Sequence, residues 1–415
     1  METVNDRKTG KGYLLIFFCF LMYTCSYLGK YGYSANINLV IGEFSVSNAE
    51  AGLISTFFFF AYGFGQIFNG FFCKYYNKKI ILPLSLIISA ILNVAFACVK
   101  NFGVLKYIWL LNGFSLSFLW SSIIMLLSEK LPAESLKKAV LIMAVPTPAG
   151  ILITYGLSAL LVELNAYKLI FFIGGGILTA IGALFFILYD KITDIYKNES
   201  AEVTDSKDNK VASDSFLLTN FGIVFVFLAI FAMLNKYMDD GIVLWLPKIL
   251  VDTFNKSNSF SIVVTLIFPV FGIIASSVNV LFNKKIKDLI LMIGVYLLIA
   301  AICAVTLFAL GNVHWLLTLA LFCVMYFITS CVGGIVSTMA PLYMRGKINS
   351  GLLAGLLNGC CYLGSTVSAY SLGLVSDNFG WSGVFKLFII INASALFMVL
   401  LYVVIVIMQK KKQNG

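Results

Sequence analysis

The chain has 415 residues, of which 60% are hydrophobic and only 12% are charged, and its mean hydropathy is +0.96. These values lie outside the usual range for soluble globular proteins and predict a membrane protein with many spans. The formal net charge of +10 comes without a basic, aromatic-rich soluble domain, which argues against nucleic-acid binding. No Ser/His/Asp, HExxH or phosphate-loop pattern is present, so the sequence predicts neither an enzyme nor a cofactor.

Apolar runs long enough to cross a hydrocarbon core of about 30 Å recur along the whole chain. Each run is predicted to be a helix, because an unpaired backbone group in lipid costs several kcal/mol. The predicted fold class is an all-α membrane protein with twelve transmembrane helices. Their predicted ranges are 13–41, 51–73, 80–99, 104–128, 138–162, 168–189, 217–247, 259–282, 288–310, 314–340, 351–376 and 382–408.

One polar stretch divides these spans into two sets of six. It is rich in Asp, Lys, Ser, Glu and Asn, and it carries too little apolar surface to fold alone. We interpret it as a flexible tether, and the sequence leaves a regulatory or docking role open. The predicted domains are an N-terminal six-helix bundle at 1–189, a cytoplasmic linker at 190–216, a C-terminal six-helix bundle at 217–408 and a basic cytoplasmic tail at 409–415.

The 29 Lys and Arg residues predict the orientation of the chain, since most of them lie in the terminal segments and in alternate loops. Basic segments stay on the cytoplasmic side of a membrane. We therefore expect a multi-pass protein of a bacterial-type plasma (inner) membrane with both termini in the cytoplasm. The nine cysteines and single histidine form no ligand pattern, so no metal is expected. Nothing demands an oligomer, and a monomer is expected.

Lys30 and Asp239 are ionisable residues deep inside apolar runs. A charge at that depth costs several kcal/mol unless it is paired or hydrated, which favours a substrate or ion site. Lys30 is alternatively a purely structural charge of its helix. Asp239 is alternatively a structural partner of Lys236 or Lys30. Lys236 stands three residues before it, so an i,i+3 salt bridge competes with ligand contact by Lys236. Asp240 is interpreted either as a site residue or as a residue facing a neighbouring helix.

Four aromatic residues within the spans combine an apolar ring with a hydrogen-bonding group. They are predicted to position a polar ligand, with aromatic packing alone as the alternative. These residues are Tyr23, Tyr27, Trp120 and Tyr362.

The fifth predicted span contains the run Pro146-Thr147-Pro148. Two prolines two residues apart remove backbone donors and bend or loosen a helix. Carbonyls freed in this way are tolerated at membrane depth only against protein or a water-filled cavity. A gating or cavity-lining role is therefore predicted for these three residues.

Short patterns repeat between the two halves of the chain. Lys30-Tyr31-Gly32 in the first span stands at the same depth as Asp239-Asp240-Gly241 in the seventh. A glycine followed by a basic turn at 70–79 comes after the second span. Together with the two sets of six spans, these features resemble the major facilitator superfamily, whose duplicated bundles hold substrate near the membrane midplane.

Further motifs narrow this resemblance to one branch. They are Tyr27-Leu28-Gly29-Lys30, Ala61-Tyr62-Gly63-Phe64-Gly65-Gln66, Asn112-Gly113, Trp245-Leu246-Pro247, Tyr362-Leu363-Gly364 and Gly380-Trp381. They are similar to those of the organophosphate/phosphate antiporter family, which includes bacterial glycerol-3-phosphate and hexose-phosphate transporters. The resemblance implies exchange of phosphate esters through one arginine in span one and another in span seven, since a guanidinium pairs two phosphate oxygens at once.

The positions of those arginines are occupied here by Lys30 and Asp239, so the site has lost positive charge. We therefore expect a secondary active transporter that moves a small polar organic solute, an organic anion or a zwitterion, by alternating access. Lys30 would hold an anionic group, and Asp239 a cationic group or a coupling proton. The expected partners are thus the solute, the lipid bilayer and protons. The alternatives are a phosphate-ester/phosphate antiporter and a transporter-like membrane sensor, with a channel or scaffold disfavoured.

Overall fold

The computed structural model describes residues 4–143, 145–194, 221–283, 285–286, 288–340 and 350–414. Within these ranges the chain is helical and contains no strand, which confirms the predicted fold class. The predicted linker lies outside the described residues from position 195 onward.

The helices follow one another with short connections. Before the linker they are α1 Val4–Ala35, α2 Ile37–Phe44, α3 Asn48–Phe72, α4 Lys78–Cys98, α5 Phe102–Lys130, α6 Ala133–Ile142, α7 Pro146–Glu163 and α8 Leu169–Thr193, with a 3-10 turn at Cys73–Tyr75. After it they are α9 Phe221–Phe254, α10 Asn258–Thr265, α11 Ile267–Asn283, α12 Leu289–Leu310, α13 Trp315–Gly334 and α14 Ser350–Asn414, with a π-helical turn at Ile335–Met339.

Capping residues set several of these boundaries. The side chains of Asn77, Asn101 and Asp288 accept hydrogen bonds from the first backbone N–H groups of α4, α5 and α12. Such caps satisfy donors that have no partner inside the helix. Asn165 and Asn255 follow the ends of α7 and α9 with φ of 52° and 50°, the left-handed conformation that often ends a helix.

Ten helices in the described part of the chain are long and apolar enough to cross a membrane. The last of them, Gly355–Met408, has 54 residues, a helical length of about 80 Å at about 1.5 Å per residue. That is more than twice the hydrocarbon thickness, so the segment comprises two crossings. They meet at Gly380, whose φ of 65° and ψ of −177° break α14 in a conformation essentially restricted to glycine.

The fifth predicted span, 138–162, is two helices instead of one bent helix. α6 ends at Ile142, and α7 begins at Pro146. Proline suits the first position of a helix, because the N–H that it lacks would have no partner there. The proline pair therefore starts a helix, which corrects the expectation of a bend inside one. With α6–α7 and the two parts of α14, every predicted span has a helical counterpart among the described residues.

The chain packs as two compact units. The first comprises Met1–Phe44, Phe57–Asp208 and Asn258–Pro269, and the second comprises Ser45–Thr56, Asn209–Ser257 and Val270–Gly415. In the first unit, α1 packs against α7 and α8, and α4 packs against α5 and α8. In the second unit, α9 packs along α14. The division of the chain into domains at the linker stays a prediction.

Candidate functional site

Lys30 forms the centre of a cluster in the first unit that we call the lysine cage. Its side chain is buried, and its Nζ faces five aromatic rings. The ring centroids lie at 5.6 Å for Tyr27, 5.3 Å for Tyr31, 6.0 Å for Phe58, 5.9 Å for Phe59 and 4.5 Å for Tyr62. A cation within about 6 Å of a ring face is attracted by the ring quadrupole. The cage thus surrounds the Lys30 side-chain nitrogen with aromatic rings.

The residue before Lys30 is fixed by a buried polar contact. Asn112 Nδ2 donates to the carbonyl oxygen of Gly29 at 2.8 Å, and Ser89 Oγ donates to Asn112 Oδ1 at 2.7 Å. A Cβ at position 29 would lie only 2.6 Å from Ser89 Oγ, so only glycine permits this approach. The contact joins α1 to α4 and α5. It fixes how α1 is placed and rotated against these helices, and thereby where the Lys30 side chain lies.

Other predicted site residues extend the lysine cage as one network. The Tyr27 and Thr147 hydroxyls share a hydrogen bond of 2.8 Å. Tyr27 is stacked on Tyr31, with ring centroids 5.5 Å apart and planes inclined by 3°. Tyr23 packs edge-on against Tyr27 at 5.7 Å and lies 4.8 Å from the ring of Trp120. The start of α7 therefore holds a cage ring through Thr147.

The second unit contains an acidic cluster formed by Lys236, Asp239, Asp240, Thr329 and Ser365. Lys236 Nζ donates to Asp239 Oδ2 at 2.5 Å and to Asp240 Oδ1 at 3.1 Å. Thr329 Oγ1 donates to Asp239 Oδ1 at 3.0 Å, and Ser365 Oγ donates to Asp240 Oδ2 at 2.5 Å. Each carboxylate thus accepts one bond from the lysine and one from a hydroxyl.

The charges of the acidic cluster do not cancel. Two carboxylates share one ammonium, which leaves one excess negative charge when all three groups are ionised. Both aspartates are buried, at 9% and 6% exposure, and an uncompensated charge inside a membrane protein is costly. A proton, a small cation or a cationic group of a solute would neutralise the cluster.

The structure places the predicted residues in two separate groups. Lys236 forms the i,i+3 salt bridge considered from the sequence and also reaches Asp240, which belongs to the cluster. Tyr362 is half-buried on α14, three residues before Ser365. Pro146 is buried and Pro148 half-buried at the start of α7.

Sequence reasoning missed Thr329 and Ser365, because single hydroxyl residues in apolar spans carry no distinguishing pattern. Among the described residues, no group of three or more His, Cys, Asp or Glu side chains is arranged to hold a metal ion.

Comparisons with known proteins agree on the class of the chain. The model of the Major Facilitator Superfamily matches residues 19–369. None of the curated proteins matches the chain. Similar solved structures include a bacterial homolog of the human lysosomal transporter Spinster in an inward-facing and occupied conformation, with 15% identity, a TM-score of 0.74, and coverage of 93% of this chain and 96% of that one.

Two further structures share the fold at similarly low identity. A D-xylose-proton symporter has 14% identity and a TM-score of 0.69, with coverage of 93% of this chain and 96% of that one. A POT family transporter in complex with 5-aminolevulinic acid has 11% identity and a TM-score of 0.71, with coverage of 94% and 95%. At these identities the likeness concerns the fold alone.

Proposed function

Because the chain belongs to the Major Facilitator Superfamily, we propose that this membrane transporter moves a small organic anion or zwitterion by alternating access, with protons as the coupling ion. One observation carries the proposal: the first unit buries Lys30 among aromatic rings, and the second buries two carboxylates around Lys236. Charges at such depth mark substrate and ion sites in membrane proteins.

Lys30 is proposed to bind the anionic group of the solute. Its ammonium has three donors, and aromatic rings attract the ammonium through their faces. A carboxylate that enters the lysine cage would form charge-assisted hydrogen bonds in place of the weaker contacts to the rings. The tyrosines and Trp120 supply flat apolar surface and hydroxyl or indole N–H donors around that group.

The acidic cluster is proposed to take either the cationic group of a zwitterion or the coupling proton. Uptake of one proton by Asp239 or Asp240 removes the excess negative charge and leaves a neutral set of one carboxylate, one carboxylic acid and Lys236. Like charges at close range favour such sharing of one proton between two carboxyl groups. The exchange between these two states would couple solute movement to a proton gradient.

A phosphate-ester antiporter remains the alternative that the resemblance to the organophosphate/phosphate branch implies. One lysine in the first unit and an acidic cluster in the second match a phosphate dianion poorly, because such ligands favour paired guanidinium groups. A plasma-membrane location, cytoplasmic termini and a monomeric state are part of the proposal.

A thermal-stability screen tests the substrate class. The purified protein is heated in the presence of carboxylates, amino acids or phosphate esters. Compounds that bind the folded state raise the melting temperature with concentration. Stabilising compounds are then offered to proteoliposomes, where we expect saturable uptake that an inward proton gradient increases. Stabilisation by phosphate esters alone would contradict the proposed substrate class. If the protein showed no saturable flux but altered the activity of another protein, a sensor would be favoured.

Asp239→Asn tests the coupling role. We expect this variant to lose accumulation driven by a pH gradient and to keep exchange between loaded vesicles, because it cannot release a proton. Asp252→Asn is the matched control, since Asp252 pairs with Lys248 at 2.6 Å near the end of the same helix. Loss of exchange as well in Asp239→Asn would indicate direct contact with the solute instead of a coupling role.

A further inference from the structure

A small cavity lies inside the second unit beside the acidic cluster. It is enclosed by α9, α12, α13 and α14, and it has room for about one water-sized occupant. Most of its lining is apolar, and its polar members are Asn235, Thr329 and Asn392. An occupant of this cavity therefore meets amide and hydroxyl groups among aliphatic side chains.

Asn392 contributes an acceptor that has no donor among the described residues. The side chain is fully buried, and its Nδ2 donates to the carbonyl oxygen of Phe388 at 2.8 Å. That bond fixes the orientation of the amide, so Oδ1 is the atom left without a protein partner. Other buried amide oxygens of the described residues, such as that of Asn69, also have no protein partner, but Asn392 lines this cavity. A buried acceptor beside a cavity points to a bound water, ion or ligand.

Thr329 connects the cavity to the acidic cluster. Its hydroxyl donates to Asp239 Oδ1 at 3.0 Å and has a second acceptor, the carbonyl of Tyr326, at 2.9 Å. If the proton turns to Tyr326, Thr329 Oγ1 becomes free to coordinate a cation in the cavity, with Asp239 Oδ1 3.0 Å from that hydroxyl. The occupant thus lies next to an excess negative charge and among oxygen ligands, which are the ligands that hard cations prefer.

We propose that this cavity binds a dehydrated alkali cation, held by Asn392 Oδ1 and Thr329 Oγ1 and attracted by the negative charge of Asp239, which contacts Thr329. The single excess negative charge of the cluster matches a monovalent ion. The inference rests on the proposed coupling role of the acidic cluster and names a second ion that the cluster would use. Na⁺ and K⁺ share this chemistry, and the experiment separates them.

Thermal unfolding of the purified full chain tests the site with the salts alone. Melting temperatures are compared in NaCl, KCl and choline chloride at equal ionic strength and fixed pH. Choline is too large for the cavity and controls for general screening of charges. We expect a saturable rise of the melting temperature in NaCl or in KCl over choline chloride, as binding to the folded state requires.

Asn392→Leu removes the unpartnered oxygen with little change of side-chain volume. We expect its apparent cation affinity to fall by roughly tenfold or more, the range seen when groups that support a metal site are removed. Thr329→Val should also lower the apparent cation affinity, because it removes the hydroxyl. Thr329→Ser should retain the affinity, because it keeps the hydroxyl. Asn69→Leu is the matched control, because Asn69 is equally buried and also has an unpartnered amide oxygen but lies in the first unit.

Two results would overturn the cation site. A wild-type melting temperature that is the same in all three salts would show that the cavity holds no alkali ion. A full response in Asn392→Leu and Thr329→Val would place the ion elsewhere. The transport function is tested separately. Proton-driven solute uptake that continues in choline chloride would support that function even if the cation site is absent. Loss of solute flux in every salt would contradict the transport function but not the cation site.

Discussion

Lys30 combines a full positive charge with a surrounding of five aromatic rings, so its charge is the property to test. Lys30→Met keeps most of the unbranched side chain and removes the ammonium. Loss of a charged hydrogen bond costs about 1.5–3 kcal/mol, so uptake of the solute should show about 10–100-fold weaker apparent affinity. Lys30→Arg should retain part of the affinity, because the charge remains while the larger guanidinium disturbs the rings.

The control for Lys30 is Lys106→Met. Lys106 Nζ also lies near two rings, 5.3 Å from Tyr107 and 5.8 Å from Phe57, but close to the start of α5. Its loss should leave uptake near the wild-type level. Equal tolerance of Lys30→Met and Lys106→Met in the same vesicles would remove Lys30 from the solute site.

Glu43 shows a titratable group outside the membrane spans. Burial tends to raise the pKa of its carboxyl, but hydrogen bonds from Lys168 and Tyr167 outweigh that effect and lower it. A lowered pKa in the folded state gives stability that is present above the unfolded value of about 4.3 and disappears as the pH falls through the folded value. Glu43→Gln should thus lower stability near neutral pH by less than about 1 kcal/mol, since the side chains of Lys168 and Glu43 are 42% and 35% exposed and water screens their attraction.

The check on Glu43 is the difference in melting temperature between wild type and Glu43→Gln across pH. The two proteins should differ near pH 7 and converge in acid, where the wild-type carboxyl is protonated. The control is Glu163→Gln, which changes the exposed last residue of α7 and should give no such difference in melting temperature. A gap that stays constant down to acid pH would rule out the ion pair as its source.

Helix packing in the second unit depends on glycine at the crossing of α9 and α14. A Cβ at Gly364 would lie 2.0 Å from the carbonyl oxygen of Met233, so alanine there must push the helices apart. We expect Gly364→Ala to destabilise by about 1–3 kcal/mol, seen as a lower melting temperature. The neighbouring Ser365 would then also lose its bond to Asp240, and uptake should fall.

Gly355→Ala is the control on the same helix, because a Cβ there meets nothing within 4 Å. Alanine favours helix over glycine by up to about 1 kcal/mol, so this variant should be as stable as the wild type or more so. Similar losses of stability in both variants would mean that the helix itself, and not its crossing with α9, is sensitive.

Most helices could be predicted from the sequence because the bilayer leaves few alternatives for an apolar run of such length. The places where prediction failed are local. The proline pair predicts a bend inside the fifth span, but Pro146 begins α7. Whether a proline bends or starts a helix depends on where the preceding helix ends. By contrast, Gly380 lies in the gap between the predicted spans 351–376 and 382–408, and its φ of 65° marks the turn between them.

The candidate site could be predicted in its charged members and in Tyr23, Tyr27, Trp120 and Thr147, but not in its other rings and hydroxyls. Lys30 and Asp239 stand out because charge is rare in apolar spans, whereas their partners are ordinary residues in distant positions. Tyr62 lies 32 positions after Lys30 in the chain, and Thr329 is 90 positions after Asp239. No spacing rule joins such pairs, because tertiary packing of different helices brings them together. The same holds for Asn392, whose unpartnered oxygen is visible only when all its neighbours are placed.

The orientation of the whole molecule remains a prediction that follows from its charge distribution. Most of the 29 Lys and Arg residues lie in segments predicted to be cytoplasmic, and moving such residues across the membrane is unfavourable. An epitope inserted after Asn312, between α12 and α13, should be accessible to antibody in intact cells. An epitope after Gly415 should be accessible only after permeabilisation. The reverse pattern would show that the basic loops lie on the outer face. It would contradict the predicted orientation, which rests on the retention of basic segments in the cytoplasm.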